Sequence, residues 1–326
     1  MATLFGFNAF LRCAKESTYG TANTTSAQQV DLRLNSSTLQ TSQERPRKTN
    51  LSVPATGMLA STFDAFRNSG GSVDIPIQYD ASGMLIEGAL GSSSTGSVGA
   101  FYVHTYAPAF ALPSYTVQFQ RGSNLNDSME QFTGIMVSSM AVSVAAGEEM
   151  TASFDLIGQN SAARSTNITS SFSAGDSVLH FEAEAISLGG TLAPSTFDLR
   201  SFELTLDNKL ERKNVLGSKL TGQPVISDVR EVTMSITADM DDNDIYASQL
   251  DGKSGTVSIK FTSTANGDHH VIFTLTNAVI EDDYSDSVTS FGRVERSFTI
   301  RGLASSTDNG LTIEIKNSNP SSTLGL

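Results

Sequence analysis

The chain has 326 residues, 39% hydrophobic and 17% charged, enough to bury a large core and compatible with two ordinary domains. Asp and Glu outnumber Lys and Arg by 34 to 21, and the net charge of −13 disfavours a grip on a phosphate backbone. No apolar run approaches the roughly 18 residues of a membrane helix. The start lacks the basic residues and cleavage site of a secretory signal, and a lone cysteine, Cys13, excludes an internal disulfide framework and suits a reducing cytoplasm.

Alternation with period two is the main local signal and predicts strands more than helices. Val73, Ile75 and Ile77 form an inward set, with Asp74, Pro76 and Gln78 opposite; Pro76 points to an edge or a bulge. "STFDAFRNSG" before it suggests a helical turn or two, and "DASGMLIEGALG" after it predicts a short helix, capped by Asp or Ser and ended at Gly91. "GSSSTGSVG" then reads as a Gly/Ser-rich loop. Met140, Val142 and Val144, the turn "AAGEE", and Met150, Ala152, Phe154 and Leu156 spell a hairpin, with Thr151, Ser153 and Asp155 on the polar face. "NSAARSTNITSSFSAGDS" has the composition of a linker. Strands resume at Val232, Met234, Ile236 and Ala238, at Val257 to Phe261, at Val271 to Leu275 and at Val294 to Ile300, with a second short helix in "DDNDIYASQLDG" ending at Gly252. The tail from Ser305 adds one strand and reads as a loose arm.

Three phrases recur in order. "VDLRLNSSTLQ" resembles "FDLRSFELTLD", "GSVDIPIQYDASGMLIEGALG" resembles "REVTMSITADMDDNDIYASQLDG", and "MTASFDLIGQ" resembles "VERSFTIRGL", which matches Val73 to Val232 and Phe154 to Phe298. A duplication fits, with the extra length of the first copy in "GSSSTGSVGAFYVHTYAPAFALP", because loops tolerate insertions that strands do not. The expected organisation is a first domain over 1–160, a linker over 161–196, a second domain over 197–302 and a C-terminal arm over 303–326.

Chemical motifs are weak. "DGKSG" imitates the end of a phosphate-binding loop, but Ala247 stands where the first glycine is needed. "DMDDNDIY" has calcium-loop carboxylates, but Asp244 and Leu250 occupy the glycine and bidentate glutamate positions. His269 and His270 are adjacent, so on a strand they face opposite ways, and a hairpin tip is expected there. Cys13 reads as a small buried side chain rather than a nucleophile. No catalytic residue, cofactor or metal is expected.

"LRCAKESTYGTA", "LIEGALG", "SSMAVSVAAGEEMTASFDLIG" and "FELTLDNKLE" followed by "REVTMSI" together resemble the tail tube (major tail) proteins of long-tailed bacteriophages, over most of residues 1–302. The apolar "GIMVSS" and the long linker depart from that pattern. The resemblance implies an all-β fold with short helices, made of two related tail-tube-type β-sandwich domains that contribute strands to a shared inner β-barrel. It implies a structural virion protein that stacks as rings into a tube for genome passage, made in the host cytoplasm and located in the tail, and not an enzyme. Such proteins are understood to give about four strands per domain to a barrel of roughly 24, which at ~4.8 Å spacing and ~40° tilt has a backbone diameter of about 48 Å. Two domains per chain then make a trimeric ring with pseudo-sixfold symmetry, a hexameric ring being the alternative. Tape-measure and tail-terminator proteins are the implied partners, double-stranded DNA passes without specific binding, and no membrane is involved. Asp74, Gln78 and Asp155 are candidates for the bore, where negative charge lets phosphates slide. Arg45, Arg47 and Lys48, in the basic "SQERPRKTN", are candidates for an inter-ring loop, as are the Gly/Ser-rich stretch and the C-terminal arm for segments that become ordered on assembly. The competing reading is a virion-associated β-sandwich module that binds a receptor or carbohydrate, which the absence of Trp disfavours.

Overall fold

Alternation becomes strand almost wherever the sequence carries it. The computed structural model describes residues 6–322 except 48–60, 123–126, 164, 173–174, 185, 190–191, 193–197, 240–252, 282–294 and 306–308. The first half supplies β1 (Phe10–Lys15), β2 (Gln29–Arg33), β3 (Ser36–Ser37), β4 (Gln40–Gln43), β5 (Arg67–Pro76), α1 (Gly83–Leu90), β6 (Gly91–Val98), β7 (Phe101–Pro108), β8 (Tyr115–Gln120), β9 (Met129–Ala145) and β10 (Thr151–Gly158). Two short strands follow, β11 (Asn160–Ser161) and β12 (Ser187–Leu188). The second half supplies β13 (Asp198–Asp207), β14 (Leu210–Lys213), β15 (Gly222–Ile226), β16 (Glu231–Asp239), β17 (Ser254–Thr262), β18 (His270–Ile280), β19 (Glu295–Gly302) and β20 (Leu311–Asn317).

One long antiparallel array runs through both halves, in the order β3/β4, β5, β10, β9, β13, β16, β19, β18. Its joint is the pairing of β9 with β13, from Ser201 opposite Ala145 to Asp207 opposite Ser139. β9 is long enough to serve two layers: its later residues belong to the array, and its earlier ones pair with β8 and β11 in an outer layer that continues to β1 and β2. β18 does the same, pairing along its earlier residues with β17 and β20 and through its last residues with β19. Side chains between the layers form one core. Phe202 of the array meets Phe273 of the outer layer at 5.3 Å between ring centroids, and Phe261 stands edge-on to Phe273. Each such fully buried aromatic contributes roughly 1.5–3 kcal/mol by leaving water.

The two halves repeat the same pairing pattern in detail. Phe154 faces Val73 and Phe298 faces Ile236; Asp74 lies between Ser36 and Ser153, and Thr237 between Ser201 and Ser297. The β8–β9 hairpin skips register between Tyr115 and Val117, where Gly134 takes φ +66. The β17–β18 hairpin skips between Gly255 and Val257, where Asn277 takes φ +57. Both are bulges that use a left-handed residue, for which glycine and asparagine pay the least strain.

Several expectations change. The register of the repeat is Val73 with Ile236, not with Val232. The stretch 91–98 is not a loop but β6, paired along its length with β7. Residues 62–66 are extended rather than helical: the N–H groups of Glu44, Ala65 and Phe63 bond to Phe66, Glu44 and Pro46 carbonyls at 3.0, 2.9 and 3.1 Å. The tail is no loose arm, because Leu311, Ile313 and Ile315 are buried on β20, which is inserted between β18 and β7. The connecting stretch is also packed, with Val178, Ile186 and Leu192 buried and β12 paired to β17. Helix α1 forms as expected and ends at Gly91 with φ +103. The second expected helix, and nearly all of "DMDDNDIY", lie outside the described residues.

Candidate functional site

The long array buries one face and leaves the other open. Inward go Val73 and Ile75, Ala152, Phe154 and Leu156, Met140, Val142 and Val144, Phe202, Leu204 and Leu206, Met234 and Ile236, and Phe298 and Ile300, all of them buried. Strict alternation therefore sends Ser, Thr and acidic residues to the opposite face. Across the strands their hydroxyls meet in cross-strand pairs: Thr38 with Ser72 at 3.0 Å, Thr237 with Ser297 at 2.9 Å, and Ser235 with Thr299 at 3.5 Å. Over β9, β13, β16 and β19 the face forms a shallow trough of about 420 Å³, lined by Ser143, Ser201, Glu203, Ser235, Thr237 and Ser297 among others.

Charge on this face is mostly negative. Asp74 accepts a hydrogen bond from the Ser36 hydroxyl, and Asp155 accepts one from Ser139 Oγ at 2.9 Å. Because Asp74 is opposite Ser153 and Asp155 opposite Ser72, the two carboxylates sit diagonally on one face of adjacent strands. Glu203 adds a third, exposed on β13. At one end Lys209 Nζ lies between Asp207 at 2.9 Å and Glu231 at 3.2 Å. Burial works against ionisation of Asp207, but hydrogen bonds from the Lys209 ammonium and backbone N–H outweigh it and hold the carboxyl below the usual range. Arg301 is tied to Glu281 at 2.6 Å. Such a surface repels phosphates and offers hydroxyls that bind nothing strongly.

Gln78 does not share this face. β5 stops at Pro76, and residues 77–79 pair instead with 176–178: the Val178 N–H reaches the Ile77 carbonyl at 2.9 Å and the Tyr79 N–H the Asp176 carbonyl at 3.2 Å. Gln78 is 5% exposed, and its Nε2 donates to the Gly175 carbonyl at 3.1 Å. Arg45 and Arg47 lie on the extension beyond β4, Arg45 beside Asp64 at 3.3 Å and Arg47 bridged to Thr62. Lys48 is outside the described residues. Glu203 and the Ser/Thr ladder of β13, β16 and β19 were not singled out from the sequence, although the alternation of "FELTLD" and "EVTMSITA" carried the signal.

The other polar residues have structural uses. Cys13 is fully buried, and its thiol is pushed up to about 12 by burial, with the charge of Asp31 adding to it. His104 is buried and bonds to Thr95, Asn317 and the Asn319 carbonyl, tying β6, β7 and the residues after β20 together. His269 closes the β17–β18 turn with Asn266, and His270 meets Glu314 at 3.1 Å on β20. Among the described residues no group of three His, Cys, Asp or Glu side chains could hold a metal ion.

An acidic, hydroxyl-rich open sheet face backed by a sandwich core is the wall of a conduit more than a binding pocket. The sequence pattern of the phage tail tube proteins matches residues 6–314. The chain belongs to the phage tail tube protein family. No curated protein sequence matches it. As a member of that family, this tail tube protein is a structural component of the phage tail that self-assembles into tail tubes. The all-β architecture implied by the resemblance is the one found, 58% of the structure being strand.

Proposed function

We propose that the chain is a duplicated tail tube protein in which three copies close into a ring, each copy supplying both of the units that the pairing pattern repeats. The observation that carries this reading is the long array itself. It holds β3/β4, β5, β10 and β9 in the first unit and β13, β16, β19 and β18 in the second, in matching order. Within the chain the second unit's first strand, β13, is satisfied by β9 of the first unit. The first unit's corresponding strand, β3/β4, pairs only with β5 among the described residues, so its outer edge is left for a neighbour. An open sheet edge of this kind is normally protected, and ring closure removes it.

Three copies would give roughly 24 strands and a backbone diameter of about 48 Å, wide enough for a DNA duplex. The open face, with Asp74, Asp155 and Glu203, then lines the bore and keeps DNA from adhering. Rings stack through segments at the ends of the sheet, Arg45 and Arg47 among them, and tape-measure and tail-terminator proteins would meet the bore and the last ring. The domain boundaries follow the repeat, with one exchange: the β6–β7 hairpin inserted in the first unit completes the outer sheet of the second through β20. Negative-stain imaging of purified protein tests the reading. Tubes or rings of one width support it, and a discrete monomer at every concentration refutes it.

A further inference from the structure

The second unit's hairpin does something inside the chain that the first unit's hairpin does not. Between β13 and β16 the chain runs out as β14–β15 and folds over the end of the first unit's β5–β10 pair. Arg212 anchors it, Nη1 donating to the Gly158 carbonyl at 2.8 Å and Nη2 to the Ser69 carbonyl at 2.6 Å. The Arg67 N–H donates to the Lys219 carbonyl at 2.9 Å, Lys219 Nζ meets Asp64 at 3.2 Å, and Tyr19 and Gln159 side chains bond to the Gly222 and Thr221 carbonyls.

Between β4 and β5 the first unit has a corresponding extension, of which 44–47 and 61–66 are described. By the pairing register Ser36 corresponds to Ser201 and Ser42 to Asp207, and Arg47 stands as far beyond Ser42 as Arg212 stands beyond Asp207. Arg47 is exposed and makes no side-chain hydrogen bond among the described residues; Phe63 beside it is 47% exposed. The places that correspond to Ser69 and Gly158 are Val232 and Gly302, at the end of the β16–β19 pair. In the first unit that site is covered by the β14–β15 hairpin. In the second it is bare and apolar, with Val229 78% and Leu303 41% exposed.

Resting on the ring reading above, we infer that the 44–66 extension of one copy docks on the β16–β19 end of a second copy, with Arg47 donating to the carbonyls of Val232 and Gly302. The chain thus carries the template of its own subunit contact: the internal hairpin repeats, within one copy, the clasp that joins copies around the ring. A charged guanidinium on two carbonyls, with Phe63 set against Val229 and Leu303, gives the contact both an anchor and an apolar seal.

The test uses full-length protein carrying Thr62→Cys with Leu303→Cys, which keeps Arg47 intact, and a short bis-maleimide reagent; the buried Cys13 is a silent background. The expected result is a covalent ladder of dimer and trimer from the double variant and none from either single variant. Arg47→Glu should raise the concentration needed for assembly at least tenfold. If the parent protein assembles but the double variant does not cross-link, or links only within one chain, the docking is overturned while the ring reading stands. If the parent never assembles, the ring reading itself fails and the clasp with it.

Discussion

Replacing Gly134 with alanine probes the repeated bulge where its geometry is tightest. Gly134 has φ +66, a region that costs an L side chain about 1–2 kcal/mol. A Cβ there would stand 2.9 Å from Gln159 Cβ and 3.0 and 3.1 Å from the Tyr19 ring, so overpacking adds about 1–3 kcal/mol. The combined loss of about 2–5 kcal/mol should lower the melting temperature by roughly 5–15 °C in scanning calorimetry. Gly96→Ala is the control, because nothing lies within 4 Å of its added Cβ and its backbone is not left-handed; a change within about 2 °C is expected. Asn277→Gly, at the corresponding bulge, relieves strain but loosens the unfolded chain, and the two should cancel to within about 0.5 kcal/mol. If Gly134→Ala is as stable as the parent, or no worse than Gly96→Ala, the bulge is not held in the left-handed conformation and the match between the hairpins fails.

Phe298→Ala, which empties a fully packed site behind the open face, should cost about 3–5 kcal/mol in denaturant unfolding, and a loss under about 1 kcal/mol would contradict its placement. Asp80 carries a buried oxygen without a hydrogen-bond partner, and burial raises its pKa, with nearby Asp176 adding to the effect against the charges of His269 and His104. A raised carboxyl favours the protonated folded form, so ionisation destabilises the protein at neutral pH and the penalty fades as pH falls through the folded pKa towards the ordinary aspartate value. Asp80→Asn should therefore raise the melting temperature at pH 7 and confer progressively less advantage in acid; a gain independent of pH would contradict this. Cys13 should resist thiol reagents in the native protein at pH 8 and react stoichiometrically only on unfolding, as its burial requires. Asp74→Lys with Asp155→Lys should make assembled protein bind duplex DNA, with a log–log salt slope near −2 for two added phosphate contacts, where the parent binds none. Unchanged binding would place these residues away from the bore.

Much of the array was legible because its strands bury one face only. Met140 to Leu156 alternates without a break, and both the hairpin and the polar position of Asp155 follow from that. Register was less legible for the same reason. Matching Val73 to Val232 or to Ile236 leaves every side chain on the same face, since the two choices differ by an even number of residues, and only the partners across the strand decide between them. Gln78 was misjudged because alternation was continued past Pro76, where the missing N–H ends the ladder and residues 77–79 find another partner. The strand in the tail was visible in "LTIEIK", but its place depends on β7 and β18, far away in the chain. Glycine and serine in 91–98 spoke for a loop, yet a hairpin needs only backbone pairing on an exposed layer. The clasp of β14–β15 over Ser69 and Gly158 had no sequence signal at all, because its bonds run from a side chain to carbonyls that every residue type possesses.

Cryo-electron microscopy of the assembled protein, resolved end-on well enough to trace single chains, tests the central claim most directly. The account predicts three chains per ring, six similar units around the bore, and Asp74 and Asp155 on the inner wall. Six chains per ring with one unit of each turned outward, or a wall whose open polar face looks away from the bore, would contradict it.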